Sequence, residues 1–144
     1  MLHASGNKVD QGAYLFTGLS GAGKSTAMNL MQQKSQPVAD DTIIIRRDRC
    51  QHYVYQTPFF EKQSGIPKNQ EKILLKKIFF LKKGHDLKLI PLKNSEIILS
   101  LLTSQLITQE ENRKRTIETL IKFTKEFKYF FQLCFSKKSP LHLR

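Results

Sequence analysis

The segment Gly18-Leu19-Ser20-Gly21-Ala22-Gly23-Lys24-Ser25 fills every fixed position of the pattern G-x-x-x-x-G-K-[ST], and Thr26 follows it. Residues of these types at this spacing make an anion cradle. Glycines let successive backbone N–H groups turn inward around phosphate oxygens, and a helix starting just after them adds partial positive charge. Lys24 would reach the outer phosphates as a point charge, and the Ser25 hydroxyl would take a position on Mg²⁺ bridging phosphate oxygens. The expected nucleotide-binding set is Gly18, Ser20, Gly21, Ala22, Gly23, Lys24, Ser25 and Thr26, with Thr26 supporting the helix start. A bound triphosphate does not by itself fix a reaction, because kinases, hydrolases and switches share this loop.

Two adjacent acids, Asp40 and Asp41, supply what the loop lacks. Transfer to a hydroxyl needs a group to accept its proton and an acid near the metal. Neighbouring side chains on an extended backbone point apart, so one carboxylate could serve the acceptor and the other the metal. The competing reading is a turn carrying solvated acids. His3 taken alone is a single His near a terminus.

These residues need elements to hold them. Residues 2–5 and 8–10 flank Gly6-Asn7 and are followed by Gln11-Gly12, reading as short strands joined by tight turns, and residues 13–17 read as a buried strand leading into the loop. Residues 24–34 carry helix formers with Ala27, Leu30 and Met31 on one face. Pro37 ends that stretch, Val38-Ala39 reads as a short strand, and Asp40-Asp41 precede a covered strand over 42–45. Residues 52–55 form another strand, Thr57-Pro58 breaks it before Phe59-Phe60, and residues 64–69 are an exposed loop. Residues 73–81 and 87–92 read as a hairpin turning at Gly84. Ile97, Ile98, Leu101, Leu102 and Leu106 recur at helical spacing, and Ile117, Leu120, Ile121, Phe127, Phe130, Phe131 and Cys134 repeat the pattern, so the chain is expected to end in two amphipathic helices. Their apolar stripe reads as core, with Phe123, Tyr129 and Phe135 wide enough for a homo-oligomer contact.

With 144 residues, 40% hydrophobic and 25% charged, the chain suits one globular core without metal or disulfide staples. Cys50 and Cys134 stand alone, no apolar run approaches the ~20 residues of a membrane helix, and the first residues lack a signal-peptide pattern. A cytoplasmic protein with no membrane partner is expected. The net charge of +12 is concentrated in residues 71–144, which hold 16 basic and 7 acidic side chains. Most of the basic residues are Lys among apolar neighbours rather than Arg interleaved with aromatics, so a nucleic-acid partner is not expected.

His3-Ala4-Ser5, the run Gly12-Ala13-Tyr14-Leu15-Phe16-Thr17-Gly18, Val38-Ala39-Asp40-Asp41, Thr57-Pro58-Phe59, and the stretches over 77–82 and 89–92 together resemble the HPr kinase/phosphorylase catalytic domain and its smaller relatives, whose fold is also that of phosphoenolpyruvate carboxykinase. The resemblance runs to about residue 106. It implies an α/β fold, a P-loop (Walker A) mixed sheet over 1–108; beyond it, the helical spacing already noted makes residues 109–144 a helical extension packed on the same domain. It also implies an ATP-dependent kinase using Mg²⁺ to move the γ-phosphoryl group to a protein serine or a small-molecule hydroxyl. Asp40 is the implied base, Asp41 the metal-side partner and His3 their neighbour, working with Lys24. The acid and Arg-Gly-rich stretch that serve the reverse reaction in true HPr kinases have no counterpart here. Glu61 is then the candidate to complete the metal ligands with Ser25 and Asp41. Two other classes compete: a nucleotide-binding module without turnover, and a basic module gripping nucleic-acid backbone.

Overall fold

The computed structural model describes residues 1–31, 35–59, 61, 63–138 and 141–143. In chain order the elements are β1 (Leu2–Val9), β2 (Gly12–Thr17), α1 (Lys24–Met31), β3 (Gln36–Asp48), β4 (Gln51–Gln56), β5 (Ile73–Lys83), β6 (Lys88–Pro91), α2 (Ser95–Thr103), a single 3-10 turn (Glu110–Asn112), α3 (Arg113–Glu126) and β7 (Phe130–Phe135). Among the described residues the strands form one seven-stranded mixed sheet in the order β2-β1-β3-β4-β5-β7-β6. A further β2–β5 pairing curls the first five strands back on themselves. β2, β5 and β7 run parallel, with Thr17 beside Phe80 and Lys83 beside Phe135, so their carboxyl ends open at the same end of the sheet.

Two apolar layers follow from the pleat. Leu2, Ala4, Leu15, Ile43 and Ile78 pack under α2 and α3 with Ile98, Leu102, Leu120 and Phe123. Phe16, Phe79, Leu133 and Phe135 pack on the other face against Ala27, Met28 and Met31 of α1. Because side chains alternate along a strand, a strand between two helical layers is apolar at nearly every position, as β2 is. Asn94 caps α2, its side chain accepting from the N–H groups of Glu96 and Ile97, a device worth about 1 kcal/mol.

Four expectations are corrected. Gly6-Asn7 is not a turn: β1 runs unbroken through it, and the hairpin turns at Asp10, whose φ is 54°. Gly6 is needed for close approach, since a Cβ there would lie 2.8 Å from the Leu15 side chain. Asn7 is turned inward, donating to the Met28 carbonyl at 3.0 Å and to Ser35 Oγ at 2.6 Å. The acidic pair stands inside the long strand β3, not in a turn before it. β6 is no hairpin partner of β5, because β7 lies between them, antiparallel to β6. The second C-terminal helix stops at Glu126, where Phe127 turns extended (φ −88°, ψ 130°), and residues 130–135 are strand. The helix expected over 24–34 is seen to Met31; residues 32–34, like Phe60, lie outside the described residues.

Candidate functional site

The phosphate loop joins the carboxyl end of β2 to the first turn of α1. Gly18, Gly21 and Gly23 have φ of 150°, 74° and 100°, values that L side chains rarely adopt. The Gly23 carbonyl accepts the first helical bond, from Ala27 N–H at 2.8 Å. The N–H groups of Lys24, Ser25 and Thr26 therefore lie in the first turn of α1, at the positive end of the helix. Inside the loop Ala22 N–H donates to the Leu19 carbonyl at 3.0 Å, which shapes the turn and engages that amide. Lys24 is only 9% exposed, and its Nζ donates to the carbonyls of Gly18 at 2.9 Å and Leu19 at 3.2 Å. Its charge is thus held beneath the loop.

The loop walls a crevice of about 570 Å³ together with His3, Lys83, Gly84, Phe135, Ser136 and Lys137. This is the crevice outside the carboxyl ends of parallel strands where ligands of open α/β sheets bind. Lys83 and Lys137 add cationic charge there, and among the described residues no Asp or Glu lines it. Sequence reasoning missed Phe135, Ser136 and Lys137, because the helical spacing read across 127–134 hid the strand that delivers them. Phe135 also sets the loop's depth: a Cβ on Gly23 would lie 3.1 Å from its ring.

The acids and His3 are brought to the loop by β1, which runs between β2 and β3. Ser5 stands opposite both Phe16 and Asp40, and Asn7 on the same side of β1 reaches Met28 of α1. Directly opposed residues share a face, so His3, Ser5 and Asp40 look to the α1 side of the sheet. Asp40 is 4% exposed, and Oδ1 accepts from Ser5 Oγ at 2.8 Å. His3 is fixed by its backbone, whose N–H donates to the Gln105 carbonyl at 2.9 Å and whose carbonyl accepts from Thr17 Oγ1 at 2.9 Å. Its Nε2 lies 3.4 Å from Asp41 Oδ1. His3 is thus the member of this trio that walls the crevice, and Asp41 touches it from behind.

Glu61 has a different setting from the metal position expected for it. Its Oε2 accepts from Asp40 N–H at 2.7 Å, and Oε1 is paired with Lys68. β3 has no β4 neighbour before Ile43, so Glu61 and Gln56, which donates to the Val38 carbonyl at 2.7 Å, take the place of a strand there. The donor set fits a triphosphate: glycine amides, a buried Lys and two further Lys. It also fits Mg²⁺ held in the manner of phosphate loops, since that ion takes one or two protein oxygens and completes its shell with phosphate and water. Among the described residues no group of three or more His, Cys, Asp or Glu forms an all-protein metal cage.

No protein-family model matches the chain, and no curated protein matches it. Among solved structures, the HPr(Ser) kinase/phosphatase from Coxiella burnetii is similar to it, at 22% identity and a TM-score of 0.47, over 85% of this chain and 88% of that one. Among the described residues no helix is long and apolar enough to cross a membrane.

Proposed function

We propose that the protein is a Mg²⁺-dependent kinase that binds ATP in the crevice and transfers the γ-phosphoryl group to a hydroxyl of a protein serine or a small molecule. The observation that carries this reading is the joining of the glycine cradle and Lys24 to His3 in one crevice, with the acidic pair held behind His3 on the adjoining strand. The loop amides and Lys24 bind and orient the phosphates, and Lys83 and Lys137 offset their remaining charge. Ser25 and Asp41 would hold Mg²⁺, which would supply charge stabilisation at the phosphate oxygens. Asp40 accepts the proton of the attacking hydroxyl, and Ser5 fixes the orientation of its carboxylate. Glu61 braces the Asp40 backbone and is not a ligand. A buried carboxylate costs stability unless it is well partnered, which is why such groups concentrate where chemistry needs them.

One observation favours a second assignment within the same reaction: His3 walls the crevice while Asp40 does not. In that case His3 takes the proton and Asp41 orients the ring. Label transfer from γ-phosphate-labelled ATP to serine, serine peptides and the protein itself tests both. Lys24→Ala should abolish transfer on either assignment. Asp40→Asn should lower it by about 10²–10⁴-fold if Asp40 is the base, whereas His3→Gln should do so, with Asp40→Asn near wild type, if His3 is. ATP binding without transfer or hydrolysis in the wild type would sink the kinase reading and leave a nucleotide-binding module.

A further inference from the structure

On the sheet face away from α1, a cavity of about 170 Å³ lies between the sheet and helices α2 and α3. Its walls are mostly apolar, with Leu2, Ile45, Leu102, Leu106, Leu120 and Phe123, beside the hydroxyls of Thr116 and Thr119. Arg47, His52, Lys122 and Glu126 complete the lining, with Arg47 Nε 3.0 Å and His52 Nε2 3.6 Å from Glu126 Oε2. Burial pushes the His52 pKa below its ordinary value, more than Glu126 raises it, so the ring is neutral at pH 7. Arg47 and Lys122 thus outnumber the one carboxylate, Glu126, and the polar part of the lining is net positive.

A cavity of this size matches one that takes a benzene-sized guest, and an open mouth lets a chain run further out. We propose that this cavity binds a small apolar monoanion, a straight-chain carboxylate of about eight carbons, its tail among Leu102, Leu106, Leu120 and Phe123 and its carboxylate at Arg47 and Lys122. Apolar walls supply affinity and the unbalanced charge of the polar lining supplies selectivity for an anion over a neutral or cationic chain of equal length. The site is separate from the phosphate crevice yet shares a strand with it. Leu2 walls the cavity and His3, the next residue, walls the crevice. The segment that pairs with them is common too, since Leu106 bridges Leu2 and the Gln105 carbonyl holds His3 N–H.

Calorimetric titration of the full chain with sodium octanoate, octan-1-ol and octylamine tests this without any nucleotide. Octanoate is expected to saturate one site and to bind more tightly than octanol, with octylamine weakest. Leu106→Trp, which fills the cavity, should abolish binding. Lys122→Glu, on the exposed face of α3, should leave the circular dichroism unchanged and weaken octanoate about fivefold while favouring octylamine. It decides the matter even if Leu106→Trp fails to fold. Absence of saturable octanoate binding, equal binding of the three chains, or no change in Lys122→Glu would each overturn the proposal.

Discussion

Asp40 and its surroundings set what single substitutions should do. Glu61→Ala removes the acceptor from a strand amide that no neighbouring strand can pair, so it should cost about 1–3 kcal/mol of stability, read from the urea midpoint, with ATP binding retained. A metal ligand would behave otherwise, losing Mg²⁺ dependence with little change in midpoint. His52 gives a pH signature of defined sign. Its folded-state pKa lies below the 6.5 of the unfolded chain, chiefly through burial, so on acidification the unfolded state takes up the proton first. The contribution of His52 is complete above that value and lost as pH falls through it towards the lowered folded value. Urea midpoints at pH 7 and pH 5 should therefore fall further in wild type than in His52→Gln. Much of this scale was legible in sequence, because loop spacing and the side-by-side acids are written in neighbouring residues. The partners were not: nothing local says that Ser5 reaches Asp40 across a sheet, or that Glu61 caps the edge of β3.

At the scale of elements, legibility followed how local the determining contacts are. β2, the loop and α1 form one continuous strand, turn and helix, and each was read from its own residues. Residues 129–135 were not, because Phe127, Phe130, Phe131 and Cys134 match helical spacing while Phe131, Leu133 and Phe135 match strand spacing. A short apolar run satisfies both periods, and the choice falls to the vacant edge of β5, which only the folded sheet provides. The hairpin expected over 73–92 failed for the same reason, since β7 takes the edge that β6 would have used. This insertion places Phe135 against Gly23, which yields a test. Gly23→Ala must adopt a φ of 100° and press a methyl group to within 3.1 Å of the Phe135 ring. It should cost about 1–3 kcal/mol in thermal or urea unfolding and weaken ATP binding. Phe135→Leu in the same background should recover part of the stability lost to contact but none lost to φ.

For the whole molecule, the sheet separates two faces with different tasks. One carries α1 and the carboxyl ends of three parallel strands, where cationic side chains gather around the loop. The other is closed by α2 and α3, and β1 is shared between them through Leu2 and His3. The charge of +12 makes the molecule as a whole a long-range attractor for polyanions. The specific geometry of the loop is what should distinguish a triphosphate from any other. Equilibrium binding of MgATP to wild type, Asp40→Asn and Lys24→Ala separates these contributions most directly. With phosphates held by the loop and the acids acting only on the transferred group, Asp40→Asn should bind within about twofold of wild type, while Lys24→Ala should bind at least about tenfold more weakly. Wild-type protein that does not bind MgATP, or Lys24→Ala that binds it as tightly as wild type, would contradict the assignment of the loop as the phosphate site.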